Sequence, residues 1–534
     1  MSDNLFKTAE DSARNGFFLA FGSAIATVIL ALGSIVAGRL LGPELYGQYS
    51  IILVVPQMLF LFTDLGVNQG IIKFIANLRV KGEVDKIPSI IYCGLFLRIT
   101  IGVALSIVLY VFAQPLALFI LNRADFYPYL QIMSIVILFQ AIYSTAVSAF
   151  ISLDKSEYSA LTSNIDAIIK SSLSIVLVLL GLNVFGALAG NIVGYIIAGC
   201  CGIVILKILL PKGHFKLNFN TFKDHTKTLV SYGTPLYASF LLTGFVPLYQ
   251  NIVLANFTTD VDVGNFKAAL NFATIMTVLS IPITNALLSA FSKLDSSKED
   301  KIKTFFKLAN KFTALIIFPI TILFIVFSNE IIQIVYGSTY QSASLFLSLY
   351  CLLYFLVAIG YLNLASFFNG LGETKITLKI CLITFLVVAF LSPLFTVVYG
   401  VVGLICAFLL ANALGISYGA YSARKKYNVE FDARAVVKIC LVSLLSVAPL
   451  LLVRLATLPM YLTLIGGALF YLTAYLTLIP LTRSVTDTEL RMVNGVLQKI
   501  RFLKLVGRLM VRYELKICSV CSSVRNKMAS LSKL

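Results

Sequence analysis

Residues Gly16 to Gly38 read GFFLAFGSAIATVILALGSIVAG, without a charged side chain from end to end. A helix rises about 1.5 Å per residue, so a run of about 20 apolar residues crosses the roughly 30 Å hydrocarbon core of a bilayer. In lipid only helices and closed barrels satisfy their own backbone. The apolar residues here are continuous and do not alternate, which excludes a barrel strand. The run follows a polar segment with Glu10, Asp11 and Arg14, is longer than a signal-peptide core and shows no small-residue cleavage site. It reads as an uncleaved first span.

The same pattern recurs and predicts fourteen spans. The first six are Gly16–Gly38, Gln48–Ala76, Ser89–Ala113, Tyr127–Leu153, Ala160–Gly181 and Phe185–Leu210. Six more follow at Ser231–Asn256, Asn265–Phe291, Phe305–Ser328, Gln341–Phe368, Thr374–Tyr399 and Val401–Ala423. Ala435–Ala456 and Met460–Pro480 close the series. Composition agrees: 59% of the 534 residues are hydrophobic and only 12% charged, against roughly 45–50% and 25% in soluble domains. A soluble enzyme, a disordered chain and a coiled coil are excluded together. The fold class is an all-α membrane protein.

The formal charge of +18 is distributed by side. With the N-terminus inside, the outer loops hold only Arg39, Arg123, Lys267 and Arg454 of the 42 basic residues. Arg98 and Lys170 fall within spans, and all the others lie on the inner side. That asymmetry follows the positive-inside rule and places both termini in the cytoplasm. It accounts for the basic charge without nucleic acid.

Short patterns repeat along the chain. Gly47 opens the second predicted span as Gly264 opens the eighth, and Gly186 opens the sixth as Gly403 opens the twelfth; both pairs have the same separation. Asp85-Lys86-Ile87 recurs at nearly that spacing as Asp300-Lys301-Ile302. Two six-helix lobes related by duplication are expected, residues 1–212 and 213–433. An even number of spans makes them parallel repeats about an axis along the membrane normal. Residues 434–480 form an accessory pair, and residues 481–534 a basic cytoplasmic tail.

Arg39-Leu-Leu-Gly-Pro-Glu-Leu-Tyr-Gly-Gln-Tyr-Ser50 resembles the outer loop after the first helix of Wzx-type polysaccharide flippases. Asp64-Leu-Gly66 followed by Ile71-Ile-Lys-Phe-Ile-Ala76 resembles their second helix. Val335-Tyr-Gly-Ser-Thr-Tyr340 and Asn369-Gly-Leu-Gly-Glu-Thr-Lys375 resemble pieces of their second half. That family belongs to the MOP exporter superfamily, with MATE multidrug transporters and the lipid II flippase MurJ. The resemblance implies a transporter of the cytoplasmic membrane that flips a polyprenyl-linked oligosaccharide by alternating access. It implies no enzymatic step and no cofactor beyond a proton gradient, a sodium gradient or the membrane potential. Implied partners are membrane lipids, the lipid-linked glycan and glycan-assembly proteins. The family pattern carries an acidic residue near the end of the seventh span, where this chain has Gln250.

A charge near the centre of a spanning helix costs about 2.5–3.5 kcal/mol on insertion scales, so each one is a functional candidate. Asp64 and Arg98 lie at similar depths in the second and third spans. They read either as a fixed interhelical pair or as a phosphate-binding fork on a cavity wall, with Asp64 orienting Arg98 or exchanging a proton. Asp166 and Lys170 are four residues apart and share a helix face, either neutralising each other or offering Lys170 to an anionic head group. Lys73, near the inner end of the second span, can snorkel to the interface or assist. Neutral sugar contacts are expected from Tyr232, Tyr237, Tyr249, Gln250 and Asn251 on the seventh span and from Asn271 and Asn285 on the eighth. Packing and interfacial belts would also explain the tyrosines.

The tail opens with a capping box at Thr486-Asp-Thr-Glu489. Leu490, Val493, Leu497 and Ile500 then recur at helical spacing among basic residues. This predicts an amphipathic helix on the anionic inner leaflet, or a docking segment for a partner. Of nine cysteines, seven lie in apolar runs. Cys518 and Cys521 supply only two of the four ligands of a structural zinc. A multidrug or cation exporter of the same fold is the alternative function. An integral-membrane glycosyltransferase or polymerase would need a sizeable outer loop and paired catalytic acids; Asp260 and Asp262 read instead as a solvated loop pair.

Overall fold

The computed structural model describes residues 2–210, 219–292, 299–450, 459–482 and 484–485, and these residues are helical apart from short turns and breaks. Among them, nine helices are long and apolar enough to cross a bilayer, or ten if the bent pair Ala343–Ile359 and Leu364–Gly370 counts as one span. Three of the nine, Phe18–Leu61, Ser156–Leu209 and Thr374–Tyr427, run 44 or 54 residues, far beyond one crossing. Each contains a non-helical glycine: Gly42 (φ 74°), Gly181 (φ 85°) and Gly400 (φ 58°). Glycine enters this left-handed region without the Cβ clash that bars other residues.

The chain reverses at these points. Past Gly181, Gly186 packs on Leu177, Gly190 on Ser174 and Gly194 on Lys170; past Gly400, Gly403 packs on Phe395 and Gly415 on Thr384. Each long helix is therefore two antiparallel spans. With Asp260–Ser292 as the eighth, the described residues are consistent with the fourteen passes the sequence predicts. It is a multi-pass membrane protein, and its surface agrees: Ile208 is 76% and Phe390 71% exposed, as befits side chains facing lipid. Gly186 and Gly403 each lie a few residues past the break of their hairpin. The short helices Ala113–Leu121 and Ser328–Val335 likewise follow the third and ninth spans.

The contacts group the chain into two compact units. One comprises Met1–Pro282, Val335–Phe346 and Leu378–Gly415; the other comprises Ile283–Ile334, Leu347–Thr377 and Ile416–Leu534. This division follows contacts, whereas the six-helix division follows sequence repetition. In the first unit Val67, Ile71, Ile91, Phe150 and Leu206 build a buried apolar cluster from the second, third, fourth and sixth spans. In the second unit Phe291, Phe306, Phe367 and Phe431 pack edge to face. Tyr475 Oη donates to Leu315 O at 2.7 Å, and Tyr471 Oη donates to Ser443 O at 3.0 Å. These bonds tie the fourteenth span to the ninth and thirteenth. The predicted tail helix and Cys518 and Cys521 lie outside the described residues.

Helix Ala433–Leu445 is capped by Asp432, whose carboxylate accepts from Ala435 N–H at 3.1 Å and from Lys307 Nζ at 3.4 Å. Burial raises the carboxyl pKa, but the amide and the ammonium outweigh it and hold the group below its ordinary value. Asp432→Ala is expected to cost about 1 kcal/mol. A lowered carboxyl pKa stabilises above the unfolded-state value, and that contribution disappears as pH falls through the folded-state value. Thermal unfolding in detergent should therefore show a variant penalty that shrinks in acid. A pH-independent penalty would remove the ionised cap.

Candidate functional site

The first unit holds a half-open cavity of about 320 Å³ lined by the first, second, fifth, sixth and eighth spans. Its wall surface is mainly apolar although most lining residues are polar, among them Ser34, Tyr49, Gln57, Asn191, Tyr195 and Asn271, and two carry ammonium groups, Lys170 and Lys267. Such a composition is usual for a small-ligand site.

Helical spacing explains the supply of groups. Asp166 and Lys170 are one turn apart on the fifth span, and Lys267, Asn271 and Thr274 share one face of the eighth. Lys170 Nζ lies 3.3 Å from Asp166 Oδ2 and 3.6 Å from the centroid of the Tyr195 ring. Asp166 is not a lining residue; it stands behind the lysine, its other oxygen buried without a hydrogen-bond partner. Gly194 lets the sixth span pass close to this pair. Asn191 donates to Tyr49 Oη, fixing that ring in the wall. Ser171 Oγ donates to Ile29 O at 3.2 Å and Asn164 Nδ2 to Gly22 O at 3.2 Å, clasping the fifth span to the first.

Lys267 corrects the sequence reading, which places it in an outer loop. The eighth span starts at Asp260, several residues before the predicted Asn265, so Lys267 is inside the helix. It lines the cavity and makes no ion pair among the described residues. The signal that could have found it is its spacing of four from Asn271. Asp260 is likewise no solvated loop residue: it receives hydrogen bonds from Gln48 Nε2 and Arg123 Nη2, both at 3.3 Å.

Arg98 does meet Asp64, but away from the cavity. The second span breaks between Val54–Leu61 and Val67–Lys81. Arg98 is 0% exposed and fills that break. Its Nη2 donates to Thr63 Oγ1 at 2.8 Å, and its Nη1 stands 3.5 Å from Asp64 Oδ1. Asp64 Oδ1 also accepts from Asn68 N–H at 3.0 Å, and Tyr237 Oη donates to Leu61 O at 2.8 Å. Backbone freed by a break inside the membrane must find such partners. The two charges thus sit between neighbouring helices, with Gly66 seated against Gly233 beside them.

The remaining candidates are dispersed. Lys73 lies over the Tyr232 ring at 3.6 Å, outside the cavity lining. Tyr249 Oη donates to Ala389 O at 2.8 Å, Gln250 is buried with Nε2 unpartnered, and Asn251 is half-buried. None of these three lines the cavity. The side chain of Asn285 lies outside the described residues.

Residues 35–345 match the sequence profile of a family described as "Polysaccharide biosynthesis protein". The lipid II flippase MurJ in an inward closed conformation superposes with a TM-score of 0.70 at 18% identity, covering 87% of this chain and 98% of that one. An inward-facing multidrug resistance MATE family transporter of the MOP superfamily gives 0.61 at 16% identity, covering 75% and 94%. A MOP superfamily transporter from Pyrococcus furiosus, described by the reverse polarity of its binding pocket, gives 0.56 at 16%, covering 77% and 95%. These likenesses establish the MOP-transporter fold. No curated protein matches the sequence.

Proposed function

The chain belongs to the polysaccharide biosynthesis protein family, and from that premise we propose that it flips a lipid-linked oligosaccharide across the cytoplasmic membrane. The observation that carries this reading is the pair of ammonium groups, Lys170 and Lys267, in a wall otherwise neutral. Two point charges with rotatable donors suit the oxygens of a diphosphate. Tyr49 and Tyr195 offer ring faces to a sugar, and Gln57, Asn191 and Asn271 offer amide hydrogen bonds. The polyprenyl tail would stay in lipid while the head group crosses. A chamber of about 320 Å³ holds a diphosphate with about one sugar, so passage of a longer glycan requires it to widen.

The distribution of Lys and Arg supports an orientation with both termini in the cytoplasm. Export of cationic drugs on the same fold is disfavoured, because a cation would face two ammonium groups with one carboxylate set behind them. Transport is read as carrier-mediated, without bond formation. Its driving force is a proton gradient, a sodium gradient or the membrane potential, and glycan-assembly proteins would supply and remove the substrate.

The test is flipping of defined lipid-linked oligosaccharides in proteoliposomes, with each gradient imposed and collapsed in turn. Lys267→Met should fold as well as the parent, since it removes an unpaired charge. A hydrogen bond to a charged group contributes about 1.5–3 kcal/mol, so flipping should fall by about 10- to 100-fold. Parental flipping by this variant would take Lys267 out of the site. Bond formation in the labelled sugar would mean an enzyme instead.

A further inference from the structure

Two of the sequence motifs meet at one end of the cavity. Val335–Tyr340 lies against the end of the first span and the start of the second, where Arg39–Ser50 is found. Tyr340 Oη donates to Gly38 O, and Arg39 Nη1 donates to Val335 O at 3.2 Å. Tyr46, Tyr336 and Tyr340 are at most 2% exposed. Their hub is Asn271 on the eighth span, whose Nδ2 lies 2.7 Å from Tyr336 Oη, 2.8 Å from Tyr46 Oη and 3.2 Å from Ser34 Oγ. Beside the hub, the second and eighth spans cross at the repeat-related glycines. A Cβ on Gly47 would strike the Asp260 carbonyl, and one on Gly264 the Pro43 carbonyl.

We propose that these groups form a latch that closes this end of the chamber, and that a ligand in the chamber releases it through Asn271. The proposal rests on the reading that the chamber binds an oxygen-rich ligand. An amide NH₂ has two protons, and here three oxygens compete for them. Ser34 and Asn271 both belong to the chamber lining, so an arriving sugar or phosphate oxygen reaches the hub directly. Once its oxygen accepts a hydrogen bond from Asn271, the buried hydroxyl of Tyr336 loses the amide and that of Tyr46 keeps only Ser34 Oγ, at 2.7 Å. Buried polar groups left unpaired are costly, and exposing them to water by separating the crossing removes that cost. The dry hub thus holds the empty chamber shut and weakens when the chamber fills.

Thr274, one turn beyond Asn271 and also lining the chamber, supplies the reporter position. Full-length Thr274→Cys chains would be exposed to a membrane-impermeant maleimide, in intact cells and in inverted vesicles, and modification of the introduced thiol read by peptide mass spectrometry. Asn271→Leu removes all three bonds, and Tyr336→Phe removes one hydroxyl with the ring retained. Both should label about tenfold faster than the parent from the face where the first span ends, with unchanged elution as folded protein. A short-chain prenyl diphosphate-linked monosaccharide should accelerate the parent similarly and leave Asn271→Leu unmoved.

Parental labelling rates in both variants, from both faces, would overturn the latch. Fast variants with a parent that binds the probe yet labels no faster would overturn release through Asn271. If the probe does not bind at all while the variants label fast, the latch stands and the functional reading fails.

Discussion

Arg98→Ala is expected to destabilise the folded chain by about 1–3 kcal/mol, because it removes a hydrogen-bonded guanidinium from a fully buried site beside the part-exposed Asp64. The guanidinium plugs the break in the second span. Without it Thr63 and Asp64 each lose one of their partners, and the half-helix Val67–Lys81 loses its anchor to the third span. Thermal unfolding in detergent should show a single downward shift. The double variant Asp64→Asn with Arg98→Met, which removes the charges together, should recover much of it. If Arg98→Ala were as stable as the parent but unable to flip substrate, the guanidinium would belong to transport and the structural assignment would be wrong.

Lys170→Met should be more damaging, for a different reason. Asp166 has a buried oxygen without a partner already, and Lys170 is the ion-pair partner of the other. Removing the ammonium leaves a carboxylate buried and uncompensated, at about 3–5 kcal/mol. Asp166→Asn with Lys170→Met should restore folding, since no charge is then left at the buried pair. Flipping should remain at least about tenfold down, because the chamber has lost a charged donor worth about 1.5–3 kcal/mol. The comparison separates the two roles of one residue. A folded double variant that flips at the parental rate would leave Lys170 a structural partner of Asp166 alone.

Part of the site was legible before any coordinates. Asp166 and Lys170 are four residues apart in a span, and helical periodicity alone puts them together. Asp64 and Arg98 could be paired by depth, since antiparallel neighbours bring equal depths side by side. Which of the two readings of that pair holds could not be extracted, because it turns on whether the guanidinium faces a hollow or a neighbouring helix. Lys267 was missed through a boundary: a start at Asn265 left it at the helix mouth, whereas Asp260 starts the helix and carries it into the wall. Tyr249, Gln250 and Asn251 are consecutive, so they point in different directions around a helix and cannot all line one surface.

Taken alone, the sequence determined the membrane class and the succession of apolar spans, because hydrocarbon thickness and backbone satisfaction are local constraints that each segment meets by itself. The tertiary structure alone decided which buried charges share a chamber, why Arg98 is sealed within a broken span, and how two distant motifs converge on Asn271. Those outcomes depend on the rotation of each helix about its axis. Rotation is set by packing between helices far apart in the chain, and no single segment encodes it.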